Sequence, residues 1–255
     1  MKTRILALAL VFLVLSLPIG FAQTTEEEKE DGGIAPDSAL YGLDKALDSL
    51  SLALTFNKEK KAEKGLKIAR ERLLEVKKMI EENKLEHAEK AEKEHKKALE
   101  KTEKALEEIN SNGNAEKSKK AVEKAARIKK GIDGHAEKVK EVKDRILERQ
   151  REKMSPEQIA KLEEVFNRIK QKAEETEDKI ETKKENLETK YKTLSKKTDA
   201  EVKKEIEEIE KKVGLVEDDD EDDDDEAEEA KKEGKTTSKI VKEEKTETKN
   251  EKGKK

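Results

Sequence analysis

Residues 121–146 read AVEKAARIKKGIDGHAEKVKEVKDRI. Ala121, Ala125, Ile128, Ile132, His135, Val139, Val142 and Ile146 recur there at alternating steps of four and three, so one side of a helix carries them all. Spacing this strict is that of a coiled-coil seam. Gly131 and Gly134 interrupt it, each at a loss of about 1 kcal/mol of helix propensity. They leave two readings: a turn at Asp133-Gly134, or a soft point in one helix. The phase runs unbroken across both glycines and favours the single helix. Downstream, Ser155-Pro156-Glu157-Gln158 opens a new helix, since serine caps, proline suits the first turn and Gln158 can reach back as in a capping box. Ile159, Leu162, Phe166, Ile169, Ala173, Thr176, Ile180, Leu187 and Leu194 then share a face. Two helices of about 40 residues, rising about 1.5 Å per residue, predict an antiparallel hairpin roughly 55 to 60 Å long. Thr198-Asp199 starts one further short helix with Val202, Ile206, Ile209 and Val213 on its face and Gly214 as its stop.

The same periodicity extends upstream of the hairpin. Pro36-Asp37-Ser38 opens a helix in which Leu40, Leu43, Leu47, Leu50 and Leu54 form one face, expected to be buried, with Phe56 capping its far end. Asn57 is an N-cap for a second helix carrying Ala62, Leu66, Ala69, Leu73, Val76 and Ile80. After a joint at Asn83-Lys84, a third helix carries Leu85, Ala88, His95, Leu99, Leu106 and Ile109, and Ser111-Asn112-Gly113-Asn114 stops it. Short joints between amphipathic helices imply antiparallel neighbours, hence a three-helix up-down-up bundle.

The N-terminus has the form of an export signal: Lys2 and Arg4, then an uncharged apolar run from Ile5 to Leu15, then Pro18 and small residues at Gly20 and Ala22. Cleavage is expected between Ala22 and Gln23. The alternative is an uncleaved anchor, because the run through Phe21 approaches the roughly 20 residues that span a bilayer. Beyond Val216, Glu217 to Glu226 is wholly acidic, and Ala227 to Lys255 is polar and rich in lysine; neither composition can bury a core. The expected fold is therefore all-α. Its parts are a signal over 1–22, a flexible linker over 23–35, the three-helix bundle over 36–110, the coiled-coil-like hairpin and short helix over 115–213, and a disordered tail over 214–255.

Composition excludes several classes. Charged residues make up 48% of the chain and aromatics 2%, which is the usage of long helices rather than of a large globular core. With 59 basic and 63 acidic residues the net charge is only −4, so the charges interleave and no basic, aromatic-studded face suggests nucleic-acid binding. The absence of cysteine removes disulfides, thiolate metal sites and cysteine nucleophiles.

One resemblance is specific enough to name. Pro36-Asp37-Ser38, Leu40-Tyr41, Leu43, Ala46-Leu47, Leu50 and Leu52-Ala53-Leu54, followed by Lys61-Ala62, Leu66, Ala69 and Arg72-Leu73, is similar to the exported family catalogued as domain of unknown function 5667, over about Ile34 to Ile109. The proline-to-tyrosine stretch carries the likeness. Asp44 departs from it, since a basic residue commonly follows the tyrosine segment there. The resemblance implies a helical fold and an extracytoplasmic setting, and brings no catalytic residues.

The residues themselves offer little chemistry. His87 and His95 lie eight apart, too far to share an ion, and His135 sits in the seam; all three read as surface or seam histidines. Tyr41, beside Leu40 and Leu43, reads as a bundle-edge residue rather than a recognition residue. The run Asp218, Asp219, Asp220, Glu221, Asp222, Asp223, Asp224 and Asp225 is the one metal candidate: hard cations favour such oxygens, but no loop fixes a geometry. No cofactor and no catalytic residue is expected. The reading is an exported, non-enzymatic structural or interaction protein of the cell envelope, acting through bundle and coiled-coil contacts. Its partner is an unknown protein or envelope component, membrane contact comes only through an uncleaved signal, and the seam offers a route to homo-oligomers. The alternative is an extracytoplasmic chaperone-like module, or a weak cation binder using the acidic tail.

Overall fold

The structure, a computed structural model, describes residues 33–111 and 113–215. The signal over 1–22, most of the linker and the acidic run Asp218 to Asp225 with its lysine-rich sequel lie outside the described residues. Within them the chain is all-α, with six helices: α1 (Tyr41–Leu54), α2 (Lys58–Glu81), α3 (Leu85–Glu107), α4 (Ala115–Gln150), α5 (Pro156–Ser195) and α6 (Asp199–Leu215).

Local chemistry sets most of these boundaries. Asn57 caps α2 by accepting from the Lys60 amide at 3.1 Å, and Asn114 caps α4 by accepting from the Lys117 amide at 3.0 Å. Ser155 and Gln158 form the reciprocal capping box of α5. Between α2 and α3 the chain turns through Asn83, whose positive φ of 61° is one that asparagine tolerates better than most side chains. α4 is continuous through Gly131 and Gly134, as its unbroken phase predicts. α6 runs past Gly214 to Leu215, the last described residue, so that glycine does not stop it.

The hairpins α2–α3 and α4–α5 lie side by side, α2 parallel to α4 and α3 parallel to α5. The bundle and the hairpin read separately from the sequence thus share their interior. Two apolar cores fill it. One gathers Leu66, Leu99, Ile128, Ile132, Ala173 and Ile180, and is closed by Val202, Ile209 and Val213 of α6. The other gathers Leu73, Val76, Leu162, Phe166, Val142 and Ile146. Between them His95, His135 and Lys172 form a buried polar layer. Helices α2 and α3 approach closely at Gly65, where a Cβ would stand 2.4 Å from Thr102 Oγ1 and 3.3 Å from the Ala98 carbonyl.

One expectation is reversed. Leu40, Leu43, Leu47, Leu50 and Leu54 do not face the interior: their exposure runs from 55% at Leu50 to 62% at Leu54, and Phe56 is 79% exposed. Only Tyr41 and Leu52 of α1 are buried. The reason is the polar edge of α1, which has the stronger claim on the interior.

Candidate functional site

Helix α1 carries three charged residues, Asp44, Lys45 and Asp48, and all three turn inward. Their focus is Arg72 of α2, whose side chain is almost wholly buried. Its guanidinium donates to Asp44 Oδ2 at 2.7 Å, and also to Asp48 and to Glu75. Tyr41 completes the cluster, donating its hydroxyl to Glu75 Oε2 at 3.1 Å with its ring 5.3 Å from the Arg72 guanidinium carbon. Lys45 reaches over the same ring to Glu94 of α3 at 3.3 Å. Below the helix start, Asp37 pairs with Lys84 in the α2–α3 turn at 2.5 Å.

A buried guanidinium is costly unless its donors are met by acceptors and its charge by counter-charge. Asp44 and Asp48 supply both and hold Arg72 firmly in its charged form against the desolvation that opposes it. Glu75 is the most enclosed of the three carboxyls; burial pushes it up to about 8, against the pull of Arg72 and of the Tyr41 hydroxyl. One guanidinium thus faces two carboxylates and a third carboxyl that holds its proton more tightly than usual. Burial and Glu75 together raise the Tyr41 phenol, so its proton stays in place.

With its charges spent inward, α1 presents an uncharged surface outward. Gly42, Leu43, Ala46, Leu47, Ser49, Leu50, Ala53 and Leu54 are all exposed, as are Ala39 and Leu40 just ahead of the helix. The amphipathic helix is therefore inverted, with its polar edge toward the bundle and its apolar face toward the surroundings. A contiguous apolar face is the kind of surface that marks a docking site.

The histidines fall into two environments. His87 lines a shallow open cleft of about 580 Å³ at one end of the bundle, with Asn83, Lys84, Ser155, Gln158 and Lys161. His95 and His135 are wholly buried and bonded to each other. Tyr41 lies at the bundle edge, as expected, but its hydroxyl serves the Arg72 cluster. Among the described residues no group of three or more His, Asp or Glu side chains is arranged to hold a metal ion, and no helix is long and apolar enough to cross a membrane. What the sequence reading missed is Arg72 as an organising charge. The signal available was three acidic or basic residues interrupting an otherwise apolar α1, opposite an arginine on the next helix.

The fold and this surface define an all-α bundle built on two side-by-side hairpins, with a leucine-faced helix fastened to its flank by a buried ion cluster. The chain belongs to the family described as Domain of unknown function (DUF5667), whose profile matches residues 33–254. The match runs well past the Ile34 to Ile109 stretch that carries the resemblance, and takes in α4, α5 and α6. No curated protein and no solved structure matches the chain.

Proposed function

We propose that this chain is a non-enzymatic interaction protein of the cell envelope, exported by its N-terminal segment, that docks through the outward face of α1. The carrying observation is the inversion of that helix: all three of its charges are bound inward while five leucines are more than half exposed. Burying those leucines inside the chain would strand Arg72; leaving them outward costs apolar exposure that a partner can recover. The bundle behind α1 is the rigid carrier.

The chaperone-like alternative calls for an open apolar groove on the hairpin. The hairpin's apolar residues are instead consumed by the two cores, which favours the interaction reading. A chain with Leu43, Leu47 and Leu50 all replaced by serine tests it. The triple variant should keep the helicity and melting of the parent, because none of the three packs inside, and should lose the association with partner chains that cross-linking of intact cells traps. Retention of that association by a folded variant would remove α1 as the docking element.

A further inference from the structure

We infer that the occupant of the α1 face is a second copy of this chain, joined to the first α1 against α1. This inference rests on the docking reading and adds the partner to it.

Its first support is the spacing. Leu40, Leu43, Leu47, Leu50 and Leu54 alternate steps of three and four, the narrow seam through which one helix meets another like itself. A lipid surface imposes no 3.5-residue period and favours a wider apolar face rimmed by basic residues. The second support is the flank. Ala39, Ala46 and Ala53 stand seven residues apart along one side of the stripe, and Gly42 and Ser49 stand seven apart beyond them. All five are exposed. Small residues in these columns let a second helix lie close, and they place no charge where a copy would be repelled.

The third support is charge. Asp44, Lys45 and Asp48 are held by Arg72 and Glu94, so the exposed face offers no ion for a charged partner to complement. An uncharged, regularly spaced leucine face is complementary to itself, which is the requirement of a two-fold contact. Area is the fourth. Five leucines and Phe56, each more than half exposed, present on the order of 600 Å² of apolar side chain, at the upper end of what a monomer shows. Two such faces together bury about 1,200 Å², the lower end of specific interfaces. The pairing is therefore expected to be reversible, in the micromolar range.

Sedimentation equilibrium of the full chain over a wide concentration range tests this. The parent should approach twice its 29.0 kDa mass as concentration rises. A chain with Leu47→Glu and Leu50→Glu should remain monomeric, and so should one with Leu47→Lys and Leu50→Lys. Mixed, the two variants should pair again, since opposite charges then meet across the seam. Every other residue is common to these chains, so pairing that follows only the α1 substitutions reports α1. A parent that stays monomeric to about 100 µM, or glutamate variants that still pair, would overturn self-association. If the parent is monomeric while the serine triple variant still loses its cross-linked partners in cells, self-pairing falls and the docking reading stands with a different partner.

Discussion

His95 of α3 and His135 of α4 meet Nε2 to Nε2 at 2.8 Å in the middle of the bundle, and neither Nδ1 has a hydrogen-bond partner. One ring must donate and the other accept, so whichever way the proton sits, one N–H and one lone pair are left dry. The two rings stack with centroids 5.0 Å apart. Arg70 of α2 and Lys172 of α5 face the pair, and both are cationic.

Acid should therefore unfasten the bundle at this layer. Burial, with His135 and Lys172 beside it, drives His95 well below the ordinary histidine value of 6.5; burial and Arg70 bring His135 to about 4. The folded chain thus binds fewer protons here than the unfolded chain. The stability from the neutral pair is complete above about pH 6.5 and drains away as pH falls toward 4, by about 3 kcal/mol for His135 alone. Urea melts at pH 7.5, 5.5 and 4.5, compared between the parent and a chain lacking both histidines, isolate this loss. Glu75, pushed up to about 8, holds its proton more tightly in the folded chain and contributes the opposite slope over the same window. Replacing both histidines by leucine should therefore remove the loss toward acid and leave stability rising as pH falls from 7.5 to 4.5; an unchanged slope would show that other groups set the acid response.

Removing Arg72 should release α1. In Arg72→Met the carboxyls of Asp44, Asp48 and Glu75 lose their shared counter-charge, and breaking a buried ion cluster from one side costs about 3 to 5 kcal/mol. Hydrogen exchange should show residues 41–54 losing protection while α4 and α5 keep theirs. Arg72→Lys should rescue only partly, since a compact ammonium lacks the wide planar fork with which the guanidinium reaches Asp44, Asp48 and Glu75 together. Full protection of α1 in Arg72→Met would mean that Leu52 and Tyr41 hold the helix without the ions.

Two leucines that look equivalent in the sequence should behave oppositely. Leu73 is fully buried and Leu47 is 57% exposed. Leu73→Asp strands a charge in the core and should unfold the chain, whereas Leu47→Asp should change stability by no more than about 0.5 kcal/mol. Circular dichroism melts separate them. Equal destabilisation would return Leu47 to the interior.

This pair also marks how far the sequence could be read. The seams of α2 to α5 were legible because each is long and periodic, and the caps at Asn57 and Ser155 were legible because their chemistry is local. The orientation of α1 was not, since periodicity says which residues share a face but not which face turns inward. That choice is made by Arg72, 24 residues from Asp48. In a chain where 48% of residues are charged, nothing local distinguishes Arg72 from the solvated charges around it in the sequence. The same holds for Glu103, which joins α3 to α5 through Lys172 and Thr176, each at 2.7 Å. The meeting of His95 and His135 likewise depends on how two separate hairpins dock.

Gly65 is a packing glycine with no sequence signal of its own. In Gly65→Ala the new methyl would collide with Thr102 Oγ1 and crowd the Ala98 carbonyl. The resulting strain, about 1 to 3 kcal/mol, should outweigh the helix propensity of about 1 kcal/mol that alanine gains. The double variant with Thr102→Ser should not recover stability, because the hydroxyl oxygen remains, while Thr102→Ala should. Thermal melts of the three chains decide this.

The outward face of α1 is tested most directly by photo-cross-linking in intact cells. A cross-linking side chain is placed at Leu47 in one chain and in another at Lys170 on α5, whose side chain is 67% exposed but lies among charges. If α1 is the docking surface, Leu47 gives discrete adducts on irradiation and Lys170 gives none above background. Adducts from Lys170 alone, or equal yields from both positions, would contradict it.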